Sequence, residues 1–126
     1  MNFEFDNNTP IYVQLVEQFK MRIVSGYLKV GERLPSVREL ALQTKVNPNT
    51  VQKALTELEE QGFIYTERTN GKFVTQDSKL IGNYKKKYAE ELSIAYLNNM
   101  KSIGLEYEDI LNYLKELGGK NEYIRD

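Results

Sequence analysis

Cysteine, histidine and tryptophan are absent from the 126 residues, and there are only three prolines. Without cysteine there is no disulfide and no thiol nucleophile. Without histidine the usual zinc sites and imidazole acid/base chemistry are missing too. These gaps predict a protein that is not an enzyme and uses no cofactor, and they exclude thiol switches and His-ligated metal sensors. No apolar run approaches the roughly 20 residues a membrane helix needs. Met1 to Pro10 shows no basic region followed by an apolar stretch, so a cytoplasmic protein without a membrane partner is expected. Neither sign of charge is in excess: 17 Lys plus Arg stand against 18 Asp plus Glu, a formal charge of -1. A simple polycation is thereby excluded, and any nucleic-acid binding has to rest on how charge is distributed.

What is present is an ordinary globular composition, 40% hydrophobic and 28% charged, in a length that holds one domain or one small domain with an appendage. Thr9 followed by Pro10 predicts a helix start, a capping hydroxyl before a proline in the first turn. Ile11, Leu15, Phe19 and Ile23 then recur every four residues as one apolar face, which ends at Gly26. Tyr27 to Pro35 reads as a loop presenting Lys29 and Arg33, and Arg33 is a candidate DNA contact. Ser36 with Glu39 three residues on predicts a capping box, and Val37, Leu40 and Ala41 form the short inner face of a second helix. After a polar break at Gln43 to Val46, Asn47 and Pro48 start a third helix that buries Val51, Ala54, Leu55 and Leu58 and stops at Gly62.

The period then changes. Phe63 to Thr66 and Lys72 to Thr75 are strand formers around the turn residues Thr69, Asn70 and Gly71, which predicts a β-hairpin with Arg68, Asn70 and Lys72 at its tip. From Ser78 to about Lys101 one long helix is expected, with Ile81, Tyr84, Tyr88, Leu92 and Tyr96 on one stripe. Gly104 breaks it, and Leu105 to Leu117 resumes with Ile110, Leu111 and Leu114. Such a pair has too little core to fold alone, so a second copy of the chain is the economical cover.

The expected architecture is therefore mainly α with a small β-hairpin wing: a winged helix-turn-helix over residues 9–76, a two-helix dimerisation tail over 77–119, and a frayed end at 120–126. Charge settles where function lies. Between Lys29 and Lys53 five basic residues (Lys29, Arg33, Arg38, Lys45, Lys53) meet two acids (Glu32, Glu39), a local +3, while Glu57, Glu59 and Glu60 form a solvated acidic end of the third helix. The start of that helix offers Asn47, Asn49, Thr50, Gln52 and Lys53 beside Arg38, donors and acceptors suited to base edges and phosphates. Arg38, Lys45, Lys53 and Lys72 would neutralise phosphates; Asn49, Thr50 and Gln52 would give sequence preference. Asn47 and Thr50 also open the helix in the absence of DNA, and Arg38 has Glu39 as an alternative surface partner.

Several separated blocks carry a family resemblance. The run Pro10-Ile11-Tyr12 through Gly31-Glu32-Arg33-Leu34-Pro35-Ser36-Val37-Arg38-Glu39-Leu40-Ala41, then Val46-Asn47-Pro48-Asn49-Thr50-Val51, Gly62-Phe63-Ile64 and Gly71-Lys72-Phe73-Val74 resembles the DNA-binding domain of GntR-type transcriptional regulators. The tail resembles the short two-helix region of the YtrA subfamily. The resemblance implies a dimeric repressor on an inverted-repeat operator of double-stranded DNA, with a recognition helix in the major groove and a wing at the minor groove. It also implies a link to transporter genes. By position the family's DNA contacts fall on Arg38, Asn47, Asn49, Thr50, Gln52 and Lys53, and its wing tip on Asn70 and Gly71. YtrA-type wings often carry two closely spaced glycines where this hairpin has one. The implied homodimer interface comprises Ile81, Tyr84, Tyr88, Leu92, Tyr96, Ile110 and Leu114. A small-molecule effector, if one acts, is expected between subunits or beside Tyr84, Tyr88 and Tyr96, where plain interface packing is the alternative. The competing function is a winged-helix protein-interaction module that does not read DNA, which the local +3 disfavours.

Overall fold

The computed structural model describes residues 1–120, so all of the expected frayed end beyond Lys120 lies outside the described residues. Two compact units are present, Met1–Lys85 and a second from Lys86 onward. The order of elements is α1 (Ile11–Val24), α2 (Val37–Thr44), α3 (Pro48–Glu60), β1 (Ile64–Glu67), β2 (Gly71–Val74), α4 (Ser78–Ser102) and α5 (Tyr107–Gly118). Among the described residues no helix is long and apolar enough to cross a membrane.

In the first unit the apolar faces read from the sequence meet in one core. Leu15, Phe19 and Ile23 of α1, Leu40 of α2, Val51, Leu55 and Leu58 of α3, and Ile64 and Val74 of the hairpin are all buried. Each such side chain contributes about 1.5–3 kcal/mol relative to its exposed state. The α1 face is one turn shorter than expected, because Ile11 is 36% exposed. The start of α1 also differs. Pro10, not Thr9, occupies the N-cap, and no side chain caps the helix. The amide of Gln14 bonds the carbonyls of Asp6 and Thr9 instead, and its Oε1 accepts from the Asp6 N–H. Residues 1–9, for which the sequence suggested nothing, run against α1: Phe3 packs on Phe19 with ring centroids 5.3 Å apart, and the Arg22 guanidinium stands over the Phe3 ring at 3.9 Å.

The helix-turn-helix forms as its caps dictate. Ser36 Oγ accepts from the Glu39 N–H at 3.1 Å while Glu39 returns the bond to the Ser36 N–H at 3.2 Å. Asn47 Oδ1 accepts from the Asn49 N–H at 2.8 Å with Pro48 at the first helical position. Between them Lys45 ends α2 in the left-handed region, φ 59°.

The hairpin pairs Ile64 with Val74 and Glu67 with Gly71. The segment expected as a plain loop extends this sheet on its other edge. Gly31 N–H donates to Val74 O, Val74 N–H to Glu32 O and Leu34 N–H to Lys72 O, all at 2.8–2.9 Å, and Arg33 bridges Phe73. The sequence hides this pairing because Gly31 and Pro35 bound too short a run to show alternation.

The start of α4 belongs to the first unit. Leu80, Ile81 and Tyr84 pack on the core, Tyr84 meets Phe63 edge-on at 5.3 Å and donates to Glu17 Oε2 at 3.1 Å, and the Nζ of the buried Lys20 stands beside the pair, 5.3 and 5.5 Å from the Phe63 and Tyr84 ring centroids. In the second unit Gly104 makes the bend at φ 89° and Glu106 and Asp109 form a capping box that starts α5 two residues later than expected. Three of the expected interface residues are therefore covered by their own chain. Ile81 and Tyr84 lie against the winged-helix core, and Ile110 is 0% exposed, so it has no surface left to bury against a second copy. Tyr88 is half-buried. Leu92, Tyr96 and Leu114 remain exposed, together with Ile94, Ile103, Tyr107, Tyr113 and Leu117.

Candidate nucleic-acid interface

The helix α3 has two unlike sides because its apolar residues fall at a spacing of three and four. Val51, Ala54, Leu55 and Leu58 are buried, which leaves Asn49, Gln52 and Lys53 facing outward and Thr50 partly covered. Its first turn carries the positive end of the helix dipole, which attracts a phosphate, while Pro48 has no N–H and the Thr50 and Val51 N–H groups are bonded to the Asn47 carbonyl. Asn47 satisfies the Asn49 N–H with its oxygen, and its side-chain NH2 stays available as a donor. On α2, Arg38 is exposed and forms no hydrogen bond or ion pair among the described residues; its alternative partner, Glu39, is engaged in the Ser36 capping box. Lys45 is exposed at the turn between the two helices.

Other expected contact residues are already engaged. Lys53 Nζ sits 3.8 Å from the centroid of the Tyr12 ring, a cation–π contact that keeps the charge while fixing its direction. Gln52 Nε2 donates to Thr56 Oγ1 at 3.3 Å, one turn along the same helix. At the wing, Asn70 Nδ2 donates to Glu67 Oε2 at 3.1 Å, and Gly71 takes φ 103°, a conformation open to glycine alone at low cost. Arg33 lies at the same place, with the Nε–Nη2 edge of its guanidinium turned toward Gly71.

Lys72 is the departure. Its Nζ donates to Glu59 Oε1 at 3.0 Å and to Thr66 Oγ1 at 2.9 Å, and Thr66 Oγ1 donates to the same Glu59 oxygen at 2.7 Å. The Thr66 and Lys72 hydrogen bonds hold the Glu59 carboxyl below the usual carboxylate range. Glu59, expected as part of a solvated acidic face, thus ties the far end of α3 to the hairpin. Tyr12, Glu59 and Thr66 were the functional neighbours that sequence reasoning missed. Tyr12 and Glu59 find their partners 41 and 13 residues away on other elements, beyond the reach of any local pattern, while Thr66 faces Lys72 directly across the hairpin.

The fold has known counterparts. Residues 11–74 match the family model described as bacterial regulatory proteins, gntR family. The chain is 38% identical to the HTH-type transcriptional regulator YhcF of Bacillus subtilis, over 91% of this chain and 95% of that protein. It is 37% identical to the HTH-type transcriptional repressor YtrA of the same organism, over 90% and 92%. A GntR family transcriptional regulator from Listeria monocytogenes superposes with a TM-score of 0.79 at 39% identity, covering 89% of this chain and 98% of that one.

Proposed function

The chain belongs to the gntR family of bacterial regulatory proteins, a family of DNA-binding transcription regulators and not of enzymes, and from that premise we propose that it is a dimeric repressor of an inverted-repeat operator. The observation that carries the reading is the outer side of α3, a capped, anchored helix whose first two turns expose Asn49, Gln52 and Lys53, together with Arg38 on α2, exposed and without a partner among the described residues. Arg38 and Lys45 neutralise phosphates, each steepening the log-log salt dependence of binding by about 0.9. Asn49, Thr50 and Gln52 read base edges, each good contact being worth about 1–3 kcal/mol. Asn47 caps the helix and offers its side-chain NH2 to a phosphate, Lys53 adds a directed charge from its seat on Tyr12, and Asn70 with Gly71 forms the wing tip. Lys72 drops out of the phosphate set, since Glu59 has already neutralised it.

Dimer formation is supported by the exposed apolar side chains of α4 and α5, among them Leu92 at 55% and Leu114 at 48%. A second copy would cover them and double the basic surface, which offsets the overall charge of -1. A transporter operon is the target that the resemblance implies. Selection of duplexes from a randomised library by the full-length protein tests the reading: it should enrich two inverted half-sites, with binding that falls steeply as salt is raised. Enrichment of no motif, or of a single direct site, would refute it.

A further inference from the structure

The wing holds a cation that neither strand of the hairpin supplies. Arg33 comes from the segment before α2, held beside β2 by the bridge to Phe73 and by the backbone bonds of Glu32 and Leu34 on either side. A Cβ added at Gly71 would lie 3.4 Å from Arg33 Nε, 3.6 Å from Nη2 and 3.9 Å from Cζ. The Nε–Nη2 edge of the guanidinium is therefore turned toward the one residue of the hairpin that has no side chain. Lys72 is paired with Glu59 and Asn70 is bonded to Glu67, which leaves Arg68, on the turn, as the hairpin cation with no partner among the described residues.

We propose that Arg33 is the base-composition reader of the wing, a guanidinium that enters the minor groove and selects A·T pairs flanking the bases read by α3; this rests on the regulator reading above. Narrow A·T minor grooves concentrate negative potential, and G·C pairs place an amino group in the way. A planar, weakly hydrated guanidinium suits that site better than an ammonium. Gly71 serves it twice, by adopting φ 103° and by leaving open the space beside the Arg33 guanidinium that a side chain would crowd. Arg68 on the turn has no such seat and acts on phosphates.

The test uses the full-length protein and the duplex recovered by selection from the randomised library, synthesised with A·T, G·C or inosine·C pairs in the flanks. Inosine·C presents a G·C-like major groove and an A·T-like minor groove. Wild type should bind A·T and inosine·C flanks alike and G·C flanks about tenfold more weakly. Arg33→Gln should compress that ratio to about twofold or less, and Arg33→Lys, which keeps charge and stem, should give an intermediate ratio. Arg68→Gln should weaken all three duplexes equally. The proposal is overturned if inosine·C behaves like G·C, if wild type ignores the flanks, if Arg33→Gln keeps the ratio, or if it weakens all three duplexes equally. Recovery of no duplex at all is a different result, and it removes the regulator reading together with this one.

Discussion

Lys72 Nζ stands 3.0 Å from Glu59 Oε1, so a lysine that sequence position assigns to DNA is bound to the acidic end of the recognition helix. The pair is partly exposed, with Glu59 at 40% of its side-chain surface, and pairs of this kind contribute about 0.2–1 kcal/mol. Its larger consequence is geometric, since it joins α3 to the hairpin through Thr66 as well.

That geometry sets the first prediction. Lys72→Ala should leave the salt dependence of DNA binding nearly unchanged, because its charge is already compensated. Glu59→Gln should release Lys72 and steepen the log-log slope by up to about 0.9 per subunit. Glu59 is held below its ordinary value of 4.5, so the folded state binds its proton less readily than the unfolded state. Its stabilisation is full above that ordinary value and disappears as pH falls through the lowered one. Urea melts should accordingly show the wild type slightly more stable than Glu59→Gln at neutral pH and the gap closing below about pH 4.5. A gap that widens in acid would contradict the assignment.

Lys45 gives the second. A non-glycine residue at φ 59° costs about 1 kcal/mol relative to glycine in the left-handed region, partly offset by the extra freedom glycine has in the unfolded chain. Lys45→Gly should raise stability by about 0.5 kcal/mol and lower the salt slope by about 0.9 per subunit. Stability and binding thus move in opposite directions, which thermal melts and a salt titration can separate. A parallel fall in both would show that Lys45 is held by interactions other than its proposed phosphate contact.

Local chemistry explains which parts were legible in advance. The capping pairs Ser36/Glu39 and Asn47/Pro48, and the spacing of Val51, Ala54, Leu55 and Leu58, place α2 and α3 and decide which side of α3 faces outward; each signal rests on neighbours within one or two helical turns. The residues that the sequence misplaced depend on partners in other elements. Thr9 loses its capping role because Pro10 takes the N-cap, which leaves Thr9 one residue before it, with its carbonyl bonded by the Gln14 amide. Arg33 becomes part of a sheet edge, Lys72 is captured by Glu59, and Ile110 goes inward. A stripe of apolar residues shows that something covers it, while its spacing is the same whether the cover is the same chain or another.

Arg38 tests the interface most directly. It is exposed and has no protein partner among the described residues, so its replacement should leave stability within the range of surface substitutions, about ±0.5 kcal/mol. Removing its guanidinium from a phosphate or a base edge should weaken binding to the selected duplex by about 1–3 kcal/mol. The measurements are a footprint and a melt of Arg38→Ala beside wild type. Undiminished affinity in a folded variant would move the interface elsewhere.

The last prediction separates the tail's two jobs by where the chain is cut. Ending it after Asp77 removes Leu80, Ile81 and Tyr84 from the winged-helix core, and with them Tyr84's edge-on packing against Phe63 and its bond to Glu17. Three half-buried side chains of this kind make the destabilisation about 2–4 kcal/mol. Ending it after Lys85 keeps that packing and discards only the second unit. The longer fragment should therefore melt close to the full chain, run as a monomer in sedimentation, and bind one half-site normally. Its affinity for a two-half-site duplex should fall by about 100-fold or more, because the second binding event is no longer tethered to the first. The shorter fragment should be destabilised as well as monomeric. If the fragment ending at Lys85 sediments as a dimer, the exposed residues of α4 and α5 are not what joins the two copies, and the interface has to be sought on the winged helix itself.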